Sequence, residues 1–261
     1  MSGPSRSSGP SRSSGPKIAV LDYGIGNLRS AEKALQHVGG AARLVTDPAE
    51  VEAADAVVLP GVGAFGACAR ALRQSGLEKV ARAAMAANVP FLAVCIGFQL
   101  LYEGSDENTE FGGSAAGGED VSGEIARTLA FSEKRSPAGG EGADAQDEEP
   151  GLGIFPGRVT ALAPTVKHPQ MQWNQLVPVG TEPGGAEGEP ASLRGLGPRP
   201  WVYFVHSFAP PVGPETVAVC DYGGPVAALV QRGNLWGAQF HPEKSGRTGL
   251  ALLANFVALA A

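Results

Sequence analysis

The sequence predicts an α/β fold, with a parallel sheet covered on both faces. Three observations carry this expectation. Short apolar runs alternate with stretches of helical periodicity from "KIAVLDYG" (17–24) to "PFLAV" (90–94), glycines mark the joints between them, and the runs are unbroken rather than alternating in character. Parallel strands buried on both faces read as continuous apolar runs, whereas a sheet wet on one face alternates.

The elements follow in order. "KIAVLDYG" reads as a buried strand ending in a glycine turn. "NLRSAEKALQHVGG" (27–40) places Leu28, Ala31, Ala34, Leu35 and Val38 at helical spacing, and a glycine pair stops it. "ARLVTD" and "DAVVLPG" are the next strands, separated by Pro48 and "EVEAA". "RALRQSGLEKVARAAMAAN" (70–88) is read as helical, "PFLAV" as strand, and residues 98–103 as the first turns of another helix. "GIFPGRVTAL" opens a β-rich half containing "WVYFVHSF", "ETVAVCDY", "PVAALVQRG" and "LWGAQFHP", and "TGLALLANFVALAA" is the closing helix.

Two stretches have no sustained period. Residues 108–150, rich in Gly, Ala, Ser, Glu and Asp, and residues 181–200, "TEPGGAEGEPASLRGLGPRP", are expected to be mobile inserts. The repeat "SGPSRS" in residues 1–16 carries nothing to bury and is expected to be a disordered tail. Removing these leaves every strand and helix in place, so residues 17–261 are read as one domain.

Composition narrows the function. With 261 residues and 43% hydrophobic side chains, the chain can bury a substantial core. No run reaches the ~20 apolar residues of a membrane span, and the N-terminus has no apolar segment of a secretory signal. Cys68, Cys95 and Cys220 fit neither a disulfide framework nor the paired spacing of a zinc site, so a reducing cytoplasm is the expected location. Residues 105–150 hold twelve acidic side chains against three basic ones, which accounts for the net charge of −6. No polybasic stripe is present, so nucleic-acid binding has no support.

The residues that carry chemistry are spread along the chain. In "LAVCIGFQLLYE" an apolar strand ends at Cys95, and Gly97 permits a sharp turn. Strand, turn and helix in that order form a nucleophile elbow, which lifts a side chain out at the carboxyl edge of a sheet. A cysteine in an apolar stretch is ordinarily a small core residue. A nucleophile needs more, because a free thiol with pKa of about 8.5 is mostly protonated at neutral pH. A helix N-terminus beside Cys95 would favour the thiolate.

Of the four histidines, His37 ends an amphipathic helix, His168 lies in a polar loop and His206 lies in a strand. His241 differs, because "LWGAQFHPEKSG" runs a strand into His-Pro-Glu. In extended chain His241 and Glu243 would face the same side, where a carboxylate fixes the imidazole tautomer. "VVLPGVGAFG" (57–66) adds a Gly-x-Gly turn whose N–H groups can approach a developing negative charge. Nucleophile, base, orienter and oxyanion turn make one acyl-transfer set.

"PGVGAFG", "LAVCIGFQLL" and "FHPEKSG", in this order, resemble the class I (triad) glutamine amidotransferases. "DYGIGNLRS", "GRVTAL", "KHPQMQWNQL", "YFVHSF" and "GAQFHPEKSGRTGLALLANF" resemble the glutaminase subunits of imidazole glycerol phosphate synthases, enzymes of histidine biosynthesis. The resemblance covers residues 17–261 apart from the two inserts. It implies a three-layer α/β/α fold around a mostly parallel open sheet, a (βα)8-barrel cyclase subunit as heterodimer partner, glutamine as substrate, and neither cofactor nor metal.

Position by position, the resemblance implies Cys95 as nucleophile, His241 as general base and acid, and Glu243 as orienter. Oxyanion donors would come from the Val62–Gly63 peptide and Ile96. Gln99 and Glu107 match positions that contact glutamine; Asn27, Trp173 and Lys244 match positions facing the cyclase. The chain departs from the family pattern at Ala93, where a glycine is usual before the elbow, and at Gln170 and Gln172, where the family has histidine and glycine. Competing readings are a glutaminase for another synthase, such as pyridoxal phosphate synthase, a cysteine hydrolase with a similar elbow, or a binding module with Cys95 as plain core.

Overall fold

A computed structural model describes residues 15–107, 149–180 and 189–261. Among the described residues the main sheet has eight strands, ordered β2-β1-β3-β4-β13-β12-β11-β8. These are β1 (Lys17–Leu21), β2 (Ala41–Val45), β3 (Ala56–Gly61), β4 (Phe91–Cys95), β8 (Val177–Pro178), β11 (Thr216–Asp221), β12 (Pro225–Arg232) and β13 (Leu235–Ala238). The pairs β1/β2, β1/β3, β3/β4 and β4/β13 are parallel; β12, β11 and β8 extend the sheet antiparallel. The α/β expectation with a mostly parallel sheet therefore holds.

Helices cover the sheet because each presents an apolar stripe. In α1 (Leu28–His37), Leu28 and Leu35 are buried. Ala31 and Leu35 gather with Leu253 of α6 (Gly246–Leu259) over Val58, Leu92 and Val94. A second group contains α2 (Pro48–Glu52), α3 (Phe65–Gln74), α4 (Leu77–Ala86) and the single turn α5 (Ile96–Gln99); α4 touches both α2 and α3, and α5 lies on β3 and β4. Asp47 starts α2 by accepting the Ala49 N–H at 2.9 Å, with Pro48 pre-set in the first turn.

Two helical expectations need correction. The stretch 70–88 is not one helix: Ser75 and Gly76 divide α3 from α4, and Gly76 adopts φ 77°, which only glycine takes without strain. The helix expected over 98–103 is instead the four-residue α5, which ends before β5 (Gly104–Ser105). So short a turn has little macrodipole, and the anticipated helix-end field on Cys95 is correspondingly weak.

Smaller sheets complete the molecule. β5 pairs with β6 (Arg158–Ala161), which pairs with β10 (Phe208–Ala209); β7 (Gln170–Gln175) pairs antiparallel with β9 (Trp201–His206). Of the unpatterned stretches, 1–14, 108–148 and 181–188 lie outside the described residues. Their described flanks are tied down. Pro16 accepts the Ala41 N–H, Glu149 pairs with Arg73, and Leu193 is buried in a 3₁₀ turn against α6. No described helix is long and apolar enough to cross a membrane.

Close backbone approach fixes the joint between β4 and α5. A Cβ on Gly97 would lie 2.0 Å from the Leu59 carbonyl oxygen, so α5 can sit on β3 only with glycine there. Gly97→Ala must push α5 off β3, and overpacking of this kind costs about 1–3 kcal/mol. A loss of that size in urea unfolding is expected.

His206, the last residue of β9, is buried with 6% exposure. Burial, only partly opposed by its bond to the Phe208 carbonyl, lowers its pKa to about 4. The unfolded chain therefore binds a proton near pH 6.5 that the folded chain refuses. Stability should fall as pH drops from about 6.5 to about 4, by about 3 kcal/mol from this group. His206→Phe should flatten the dependence in that window, read from denaturation midpoints at several pH values.

Candidate active site

The site is assembled at the carboxyl edge of the parallel strands. β4 ends at Cys95, whose backbone is held at φ 55°, ψ −113°. A non-glycine residue in that region carries strain of about 1–3 kcal/mol. Burial of Val94, Ile96 and Phe98 around it offsets the strain, at about 1.5–3 kcal/mol for each large apolar side chain. The elbow expected from Cys95 and Gly97 is therefore present, made by a sharp turn rather than by a long helix.

β13 lies beside β4, with Ala238 opposite Val94, and the chain continues through Gln239 and Phe240 to His241. His241 Nδ1 lies 2.9 Å from Glu243 Oε1, and both side chains are buried. The strand reading gave the contact but not its cause. β13 stops at Ala238, and Glu243 sits in a 3₁₀ turn, Pro242–Lys244, which folds its carboxylate back to the ring. Ser245 Oγ donates to the His241 carbonyl at 2.7 Å, and His241 N–H donates to the Tyr203 carbonyl, so the turn is held at both ends.

The third member faces the same imidazole. Burial lowers the His241 pKa, but the Cys95 sulfur and the Glu243 carboxylate outweigh it and push it up to about 10. His241 Nε2 makes no hydrogen bond among the described residues. The ring thus keeps one nitrogen on Glu243 and leaves the other for the Cys95 sulfur that raises its pKa. Cys95, buried, approaches the Val205 carbonyl at 4.0 Å.

The turn expected to hold the oxyanion donors begins beside Cys95, because Gly61 is paired with Cys95 in the β3/β4 register. Val62 follows, and Gly63 takes φ 90°. Cys68 Sγ donates to the Val62 carbonyl at 3.3 Å. A planar trans peptide then points the Gly63 N–H away from Cys68. Ile96 opens α5 immediately after Cys95.

Glu107 joins this edge: its carboxylate accepts the Phe65 N–H at 2.6 Å, and burial raises its pKa against that bond. Gln99 is 1% exposed; its Nε2 donates to the Phe208 carbonyl at 2.9 Å and to Gln239 Oε1 at 3.1 Å. Gln239 was not singled out from sequence. It is wholly buried and its Nε2 lies 4.0 Å from Cys95 Sγ. A glutamine in an apolar strand was a visible signal, but only the fold shows what it meets.

Residues expected at a partner face lie on the surrounding rim. Asn27 is exposed at the start of α1 and accepts from Ser30 Oγ at 3.0 Å. Lys244 is exposed beside Glu243, and α1 packs against its turn. Trp173 is 48% exposed on β7, opposite Tyr203, with Met171 and Trp201 each 52% exposed on the same small sheet. Of the departures, Ala93 is buried between Leu59 and Gly237, Gln170 is buried and donates to Cys220 Sγ at 3.7 Å, and Gln172 is exposed. Among the described residues no cluster of three or more His, Cys, Asp or Glu could hold a metal ion.

Comparison with known proteins agrees with this geometry. The profile of the family "Glutamine amidotransferase class-I" matches residues 19–260. Imidazole glycerol phosphate synthase subunit HisH of Thermosynechococcus vestitus is 40% identical over 247 residues, covering 93% of this chain and 96% of that protein. The subunit of the same name from Deinococcus radiodurans is 39% identical, covering 92% of each. A crystal structure of a glutamine amidotransferase shares the fold at TM-score 0.60 and 19% identity, over 93% of this chain and 98% of that one. The chain belongs to the class I glutamine amidotransferase family.

Proposed function

We propose that this chain is the glutaminase subunit of an imidazole glycerol phosphate synthase. It hydrolyses glutamine to glutamate and ammonia and supplies the ammonia to a cyclase subunit in histidine biosynthesis. One observation carries the reading: the His241 imidazole, held at 2.9 Å by Glu243, also faces Cys95, in a chain that is 40% identical to a subunit of that name.

The roles follow from the geometry. Cys95 sulfur attacks the side-chain amide carbon of glutamine, and the carbonyl π electrons move onto oxygen. Gly63 and Ile96 N–H groups stabilise that oxyanion, as preorganised donors do where charge develops. His241, whose pKa is pushed up to about 10, carries a proton at neutral pH. It gives this proton to the leaving nitrogen, and the C–N bond breaks to release ammonia and leave a thioester. The deprotonated ring then takes a proton from water, hydroxide adds to the thioester carbon, and glutamate leaves as sulfur regains the electron pair. Glu243 holds the ring tautomer through both halves. Gln99 and Glu107 border the place where substrate sits.

The partner in this reading is a (βα)8-barrel cyclase. Ammonia joins a phosphoribulosyl intermediate there, giving imidazole glycerol phosphate and aminoimidazole carboxamide ribonucleotide. Asn27, Trp173 and Lys244 lie at the rim of the site, where a docked cyclase would receive ammonia before bulk water protonates it. An exposed tryptophan such as Trp173 is the kind of anchor that interfaces favour.

Cys95→Ala should abolish glutamine-dependent synthesis in the complex, while synthesis from added ammonium persists; joint loss of both would contradict the division of labour. The isolated chain should hydrolyse glutamine poorly until a cyclase carrying its nucleotide ligand binds. Mixing this protein with purified imidazole glycerol phosphate cyclase and assaying glutamate checks this, and strong activity from the lone chain would contradict the partner.

A further inference from the structure

We infer that Gln239 is a positioning residue for Cys95, and that Gln99 fixes the direction of its amide. The inference rests on Cys95 being the nucleophile, as proposed above. Its starting point is a chain of buried hydrogen bonds. The Phe208 carbonyl accepts from Gln99 Nε2 at 2.9 Å, Gln99 Nε2 also donates to Gln239 Oε1 at 3.1 Å, and Gln239 Nε2 stands 4.0 Å from Cys95 Sγ.

Donor and acceptor identity leaves this chain one direction. A carbonyl oxygen only accepts, so the group that Gln99 turns to Phe208 must be its nitrogen. That nitrogen has a second hydrogen, which points at Gln239. Gln239 must then present its oxygen to Gln99, and its NH₂ faces the sulfur. Turning Gln99 over would set its oxygen against two acceptors, and turning Gln239 over would set two donors against each other, in either case in a buried region and at a cost of about 1–3 kcal/mol. The Phe208 carbonyl is itself fixed, because it also accepts from His206 Nδ1 at 2.9 Å.

An N–H held against sulfur does two things. It anchors the strained Cys95 side chain opposite the Val205 carbonyl, and it favours a negatively charged sulfur over a protonated one. At 4.0 Å the contact is long, and such bonds shorten as charge develops on the reacting atom. His241 and Glu243 are reached through the backbone from the same residue, since Gln239 lies two positions before His241. One short segment therefore addresses the sulfur from two sides.

The test is alkylation of the full-length chain by iodoacetamide without glutamine, with modification assigned to Cys95 by peptide mass spectrometry. In Gln239→Met, which keeps length and volume, the pH of half-maximal rate should move up by about one unit. Below that pH, Cys95 should react about tenfold more slowly than in the unaltered chain. Gln239→Glu, which keeps the acceptor for Gln99 but turns oxygen to the sulfur, should move it further in the same direction. If neither Gln239 variant folds, Gln99→Met should still give a smaller upward move, because Gln239 is then free to turn. An unchanged profile in any of these folded variants overturns the inference. Failure of the proposed function shows itself separately: alkylation of Cys95 in the unaltered chain would then leave glutamine hydrolysis by the complex intact.

Discussion

The turn at Cys95 has to reverse the chain within a few atoms of β3, and its neighbours are arranged around that demand. Cys95 accepts a positive φ, Gly97 gives up a side chain so that α5 can rest on the Leu59 carbonyl, and Gly61 does the same on the facing strand, where a Cβ would lie 2.6 Å from Gly97 N. Each concession is local and unfavourable. Together they remain because β3, β4 and β13 are buried and because the large side chains flanking the turn are removed from water. A surface cysteine in an ordinary helix would cost less and would have no fixed relation to the next strand.

That fixed relation lets two distant parts of the chain share one imidazole. β4 delivers sulfur and β13 delivers ring and carboxylate, and the parallel register between them sets how far apart they stand. The charge balance follows from burial. His241 stays readily protonated only because sulfur and carboxylate together exceed the penalty of its surroundings, whereas His206, with no carboxylate among the described residues acting on it, goes the other way. Two histidines of the same chain thus have opposite tendencies for reasons visible in their immediate partners.

Much of this was legible in sequence, and the failures have identifiable causes. Unbroken apolar runs gave β1, β3 and β4, and the elbow was readable because Cys95 and Gly97 interrupt such a run. The break between α3 and α4 was not, since apolar spacing continues through Gly76 while its backbone does not. α5 was overextended because "FQLLYE" suits a helix locally, and tertiary contacts stop it: Leu152 and Ile154 donate backbone bonds to the Leu100 and Leu101 carbonyls. The His241–Glu243 pair was found through an extended-strand argument although a 3₁₀ turn makes it. Gln239 stood out only as a polar residue in an apolar run, and its role was not legible, because its partners lie 144 and 140 positions away.

The adjacency of β4 and β13 also has a temporal side. Translation releases the elbow early, whereas the segment that carries the imidazole emerges at the end of the β-rich half, just before the final helix. During most of synthesis Cys95 therefore has no ring to exchange protons with. On the roles proposed above, a nascent chain that still lacks His241 has no base for its sulfur, so glutamine turnover waits for the segment that carries the ring.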